Sequence, residues 1–213
     1  MRILDDLSGP AGDPTDTPVL RIRGGGVRAL PVHEWAADAS GLEQEILDRV
    51  EGPVLDLGCG PGRLVAALGE RGMTARGVDT SPQAIDMARR RGASVLERSV
   101  FDDLPGAGRW RTTILLDGNV GIGGDAGRLL RRSAELLGPG GSTLVEVDPR
   151  GHATEVLEVR LEVGDQASDW FPWAVVGVDG LWEVAAAGGH VVAEQWDSHG
   201  RCFARLEPVI GRG

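Results

Sequence analysis

Three alternate glycines, Gly58, Gly60 and Gly62, close the apolar run Val54-Leu55-Asp56-Leu57 and open the helical pattern Arg63-Leu64-Val65-Ala66-Ala67-Leu68. A buried strand, a turn free of Cβ atoms and a helix start with open N–H groups make a cradle in which a cofactor approaches the backbone closely. Cys59 lies inside that turn, where a small residue is wanted, so packing is expected of it rather than nucleophilic chemistry. The spacing is G-x-G-x-G, and Arg63 stands where a dinucleotide fingerprint carries its third glycine, which argues against NAD. Asp79 follows Gly62 by 17 residues (79 − 62). That is about where an acid ending the next strand reaches both ribose hydroxyls of an adenosyl cofactor; the alternative is a helix N-cap or a surface acid.

The elements that must position these residues alternate. A second strand over 74–79 is followed by Ser81 as N-cap, Pro82 at the first helical position and Gly92 as the stop. A third strand over 94–99 leads into Val100-Phe101-Asp102-Asp103, and a fourth, 112–116, is apolar at its end, as a central parallel strand should be. Then comes a second glycine-rich loop, with glycine at four of the eight positions 117–124, and Asp125 as the N-cap of a helix over 126–137. Gly138-Pro139-Gly140-Gly141 stops that helix before a fifth strand, 142–147. Five such alternations predict a doubly wound α/β fold. Beyond it, 156–163 alternates as an exposed-edge strand, 178–187 reads as a helix, and strands over 191–196 and 202–206 flank a hairpin turn.

Residues 1–18 have no period and read as an arm, and Gly24-Gly25-Gly26 joins two short strand patterns that suit a hairpin, a flap or a loose extension. From Ser40, Leu42, Ile46, Leu47 and Val50 share a helical face, and Ser40 with Glu43 fits a capping box. We divide the chain into 1–50, an N-terminal arm, flap and helix, and 51–213, a single domain. The net charge of −10 and pI near 4.9, with 22 basic residues that are all arginine and no basic stripe, make nucleic acid a poor partner. Two cysteines in no metal or disulfide spacing fit a reducing, cytoplasmic setting. No signal peptide and no apolar run near ~20 residues is visible, so no membrane segment is expected.

Residues 54–62, with Asp56 on the strand and Pro61 in the turn, resemble motif I of the class I S-adenosylmethionine-dependent methyltransferases, and 77–89 resembles their motif II. The resemblance covers 52–147 closely and 175–207 topologically, since that family closes its sheet with an antiparallel hairpin. It implies a mostly parallel seven-stranded sheet with helices on both faces. It also implies S-adenosylmethionine as cofactor, held by Asp56, Gly58, Cys59, Gly60 and Gly62, by Asp79 and Thr80, by Val100, Phe101 and Asp102, and by Asp117, Gly118 and Asn119. Ser99 stands where family members carry a carboxylate for the adenine amino group; Asp102 either substitutes or is a plain loop acid.

Methyl transfer is a displacement on an already activated carbon, so the protein mostly positions and excludes water. An acceptor that must lose a proton gains from a general base, for which Asp117, His33, His152 and Glu146 are candidates; both histidines also read as surface or packing residues. His190 and His199 read as structural. Asp117 and Asp148 end adjacent strands and could share a hard cation, but Pro149 replaces the asparagine that metal-dependent members carry, so no metal is expected. The reading is methyl transfer to a small molecule, in specialised metabolism, with a non-catalytic cofactor-binding scaffold or a nicotinamide-dependent oxidoreductase as alternatives. Three of only nine aromatic residues (six Trp and three Phe) fall in Asp169-Trp170-Phe171-Pro172-Trp173. With residues 117–124 and Trp35 they form either an acceptor wall or a hydrophobic plug.

Overall fold

The computed structural model describes residues 18–30, 35, 37, 39 and 41–209. Strands β1 (Val19–Ile22) and β2 (Val27–Ala29) make an antiparallel hairpin, and helix α1 (Gly41–Leu47) follows. The alternating core comprises β3 (Val54–Leu57), α2 (Arg63–Glu70), β4 (Ala75–Asp79), α3 (Pro82–Arg90), β5 (Val95–Glu97), β6 (Trp110–Leu115), α4 (Ala126–Leu136) and β7 (Leu137–Val147). After it come β8 (Glu155–Val163), β9 (Gln166–Ala167), β10 (Phe171–Val175), α5 (Leu181–Ala187), β11 (His190–Ser198) and β12 (Arg201–Pro208).

The main sheet has seven strands in the order β11-β12-β7-β6-β3-β4-β5. The β3–β7 strands pair in parallel, and β12 and β11 close one edge antiparallel. Strand residues alternate between two apolar clusters, as the two-residue period requires. Leu55, Leu57, Leu115, Val145 and Ala204 meet α4 and α5 through Leu129, Leu130, Leu181 and Ala185. Val54, Ile114, Leu144 and Phe203 meet α1 and α2 through Ile46, Leu47, Leu64 and Leu68. Each fully buried side chain of this kind contributes about 1.5–3 kcal/mol, and the helices therefore lie on both faces.

The local signals operate as the sequence indicates. Ser81 Oγ accepts the Ala84 N–H at 3.3 Å and Asp125 Oδ1 accepts the Arg128 N–H at 2.8 Å, capping α3 and α4. His199 and Gly200, with φ of 51° and 78°, form the two-residue turn that a tight hairpin needs, so β11 and β12 run longer than the apolar pattern alone indicates. Three differences stand out. β5 spans only three residues; β7 starts at Leu137, because the glycine stretch after α4 is drawn into the sheet through a register shift opposite Trp110; and α5 starts three residues late. At that helix start, a Cβ on Gly177 or Gly180 would stand 2.1 Å from His152 O or 2.2 Å from Thr154 Oγ1, so the backbone is held there as a turn.

β8 is not an exposed edge. It lies inside a second sheet ordered β10-β8-β1-β2, with β9 paired to it, so the N-terminal hairpin and the 148–174 insertion share one structure. Val159, Leu161 and Val163 are buried on one face while Glu158, Arg160 and Glu162 take the other. Ser40, and with it the capping box, lies outside the described residues; Glu43 is 5% exposed and paired with an arginine.

Candidate functional site

The cradle sits between the carboxyl ends of β3 and β4. Gly58, Gly60 and Gly62 have φ of 85°, 51° and 74°, a left-handed region that disfavours side chains. Their surroundings differ. A Cβ on Gly58 would stand 2.8 Å from Asn119 Nδ2, and one on Gly62 2.7 Å from Ala88 Cβ, whereas nothing lies within 4 Å of a Cβ on Gly60. Gly60 therefore presents the open side of the turn. Cys59 is buried against Gly77 and Val65, and burial, then the charges of Asp56 and Asp79, push its thiol pKa up, so it is inert packing. Gly62 provides no side-chain cap, so the first turn of α2 presents its N–H groups without one.

Asp79 ends β4 beside this turn. Its carboxylate accepts the Gly60 N–H at 2.9 Å and the Ser81 N–H at 2.8 Å, and burial raises its pKa against those bonds and the nearby Thr80 N–H. Thr80 beside it is exposed. After β5, Asp102 Oδ2 accepts the Ser99 N–H at 3.0 Å and Ser99 Oγ accepts the Phe101 N–H at 3.2 Å, so both side chains close a tight turn. Val100 is buried, and Phe101 lies under the Arg128 guanidinium at 4.3 Å.

A charged brace crosses the carboxyl edge. Asp117 Oδ2 accepts from Arg63 Nη2 at 2.8 Å, Asp117 Oδ1 from Arg201 Nη2 at 2.9 Å, and the Asp117 N–H donates to Glu146 Oε2 at 2.6 Å. Arg201 Nε also donates to Glu146 Oε1 at 2.7 Å, and Arg63 Nη2 to Glu43 Oε1 at 3.0 Å. Burial works against the charge on Arg201, but the bond and charge of Glu146 outweigh it and raise its pKa. Gly118 turns left-handed after Asp117, and Asn119 Nδ2 donates back to Gly58 O at 2.8 Å. Beneath the brace, Asp56 is 3% exposed. Burial raises its pKa to about 7, with Arg63 opposing and Asp117 and Asp79 adding to the rise.

Residues 54–141, from β3 into β7, match the family described as a methyltransferase domain. Over that span the chain is similar to a methyltransferase domain. Its fold is similar to that of a SAM-dependent methyltransferase from Bacteroides fragilis solved with S-adenosyl-L-homocysteine: TM-score 0.77, 23% identity, covering 92% of this chain and 89% of that one. It is also similar to the CcbJ methyltransferase of Streptomyces caelestis (0.61, 18% identity, 82% and 92% covered). A third similar structure is 1,6-didemethyltoxoflavin-N1-methyltransferase of Burkholderia thailandensis (0.57, 20% identity, 81% and 77% covered).

Within this fold the proposed residues separate. Asp56, Gly58, Cys59, Gly60, Gly62, Asp79, Asp117, Gly118 and Asn119 converge on the cradle. His33 lies outside the described residues, and His152 is exposed after β7 with Nδ1 3.1 Å from Pro149 O. Buried His190 shares its Nδ1 proton with Gly188 O at 3.0 Å. Asp148 pairs with Arg28 at 3.2 Å, and among the described residues no group of three His, Cys, Asp or Glu is placed to share a metal. Among them, too, no helix is long and apolar enough to cross a membrane. The two tryptophans part company. Trp173 packs on Gly121 after β6, where a Cβ would meet its Nε1 at 2.5 Å; Trp170 lies between the guanidiniums of Arg23 and Arg160, at 4.5 and 4.9 Å. Sequence reasoning missed Glu43, Arg63 and Arg201 as brace members. The one available signal was Glu43 itself, an acid beside the apolar positions of a short helix.

Proposed function

We propose that this domain transfers the methyl group of S-adenosylmethionine to a small-molecule acceptor. The observation that carries the cofactor assignment is Asp79. A carboxylate has about four acceptor positions; the Gly60 and Ser81 N–H groups take two and the Thr80 N–H also faces it, which leaves capacity for a ribose hydroxyl beside the open face of Gly60. S-Adenosylmethionine supplies a methyl group already activated on a sulfonium. The chain's part is then to hold and enclose: Asp79 orients the ribose, the α2 start and Gly60 admit the polar end, and Asp56 is an acid left for a cationic group.

The acceptor side lies along the turn after β6 and the apolar face of β10. Trp173, Phe171 and Val159 share one face of the second sheet, because Phe171 pairs with Val159 and Trp173 with Leu157. Phe171 and Trp173 meet edge to face at 6.2 Å. A flat, largely apolar small molecule suits such a wall. The neighbour whose structure includes bound 1,6-didemethyltoxoflavin supports this class, as does the acidic balance of the chain, which disfavours nucleic acid. Asp117 is assigned a holding role, since both its oxygens bond guanidiniums; for an acceptor that must lose a proton, the exposed His152 is the candidate base.

Titration calorimetry with S-adenosylhomocysteine and with NADH tests the assignment. The first should bind and the second should not. Asp79→Ala removes a hydrogen bond to a charged group, which contributes about 1.5–3 kcal/mol, so it should weaken binding by about tenfold or more. Unchanged affinity in that variant overturns the ribose assignment.

A further inference from the structure

We propose that Arg201, on the closing hairpin, is a positioning residue for the cofactor cradle and acts through Asp117. The proposal rests on the cofactor reading above. Asp117 is a non-glycine residue at φ 55°, a conformation that persists only when its surroundings enforce it. Three bonds do so: Arg63 on one oxygen, Arg201 on the other, and Glu146 on the N–H. Arg201 is itself fixed, because it grips both oxygens of Glu146, at 2.7 and 2.5 Å. Its guanidinium also lies 5.5 Å from the Phe203 ring centroid; Phe203 stacks on Trp196 at 5.7 Å, and Arg49 covers Trp196 at 4.3 Å.

From Asp117 the constraint reaches the cradle at both ends. Arg63, bonded to Asp117, directly follows Gly62, and Asn119, two residues beyond Asp117, bonds Gly58 O. A hairpin some 140 residues further along the chain (201 − 60) thereby sets the spacing of the two outer glycines through one carboxylate. Glu43 joins α1 to the same brace through Arg63.

The test is a double-mutant cycle read by S-adenosylhomocysteine calorimetry, with melting temperature as the control. Arg201→Lys keeps the charge but cannot bond Glu146 twice and Asp117 together, so affinity should fall about fivefold or more while the melting temperature shifts by only a few degrees. Asp117→Asn should weaken binding as well, and the double variant should be no worse than Asp117→Asn alone, within about twofold. Arg205→Lys, on the same strand but bonded to Ser142 Oγ and Arg49 O, should leave affinity unchanged. Wild-type affinity in Arg201→Lys, or losses that multiply in the double variant, overturns the proposal. Should Arg201→Lys not fold, Glu146→Gln decides by the same criterion, since it loosens the anchor of Arg201 and keeps both guanidiniums. Failure of the wild-type protein to bind S-adenosylhomocysteine overturns the cofactor reading and this proposal with it, and that arm tells the two failures apart.

Discussion

At the scale of residues, the three cradle glycines look equivalent in sequence and are not. Gly62→Ala adds a Cβ 2.7 Å from Ala88 Cβ in a left-handed turn, so strain and overpacking act together and should cost about 2–5 kcal/mol in chemical denaturation. Gly60→Ala meets nothing within 4 Å and should cost only the left-handed conformation, about 1–2 kcal/mol, while S-adenosylhomocysteine affinity drops disproportionately because the methyl stands where the ligand approaches. Equal stability losses in the two variants contradict this division. Asp56 carries a pH prediction. Its folded pKa of about 7 lies above the ordinary carboxylate value of 3.8, so between them the folded state holds the extra proton. Stability contributed by this group must fall as pH rises from about 4 to 7 and stay level above, by on the order of 4 kcal/mol in all. Asp56→Asn should flatten that slope, and urea unfolding of both proteins at pH 5 and pH 8 measures the difference. The glycines, Asp56 and Asp79 were legible because their spacing is local. The brace was not: its bonds join residues 20, 54, 55 and 84 positions apart, and no local pattern encodes them.

At the scale of elements, caps, glycine stops and apolar periods located the strands and helices of the main sheet to within a few residues, because each signal is made by neighbours in the chain; the exception is β7, which starts five residues before the expected 142. The second sheet was illegible for the opposite reason. Alternation in β8 shows a two-faced strand, but only tertiary pairing decides whether its edges are covered, and here β1 and β10 cover both. The same sheet divides the tryptophans. Trp173 belongs to its inward face and packs on the turn after β6, while Trp170 is held between two arginines. Trp173→Ala should therefore cut turnover of a screened acceptor by tenfold or more, on the order of the loss of a stacked aromatic contact, with cofactor affinity retained. Trp170→Ala should cost about 1–2 kcal/mol of stability from two cation–π contacts and leave turnover within twofold. Equal turnover in the two variants removes the acceptor wall from β10.

At the scale of the whole molecule, the sequence divides naturally at residue 50, yet the structure ties the first strands to the middle of the chain. β1 lies between β8 and β2, with Leu20 opposite Leu161 and Ile22 opposite Val159. Val159 and Leu161 are 0% and 1% exposed, and Glu162 is bonded by Arg21 at 2.7 Å as well as by Arg160. Removing residues 1–30 strips one edge of β8 and uncovers part of two aliphatic side chains, each of which contributes about 1.5–3 kcal/mol when fully buried. With about 3 kcal/mol lost, and a shift of about 2–4 °C per kcal/mol for a chain of this size, the melting temperature should fall by roughly 6–12 °C. The bared strand also offers unpaired N–H and C=O groups to other chains, so the truncated protein should self-associate as concentration rises. Scanning calorimetry and light scattering on the full chain and on the 31–213 fragment check both effects. The full chain should unfold in one transition, because the N-terminal hairpin and the insertion share a sheet. An unchanged melting temperature in a monomeric fragment makes residues 1–30 an appendage, and the wall formed by Phe171 and Trp173 must then be supported from β10 and the turn after β6 alone.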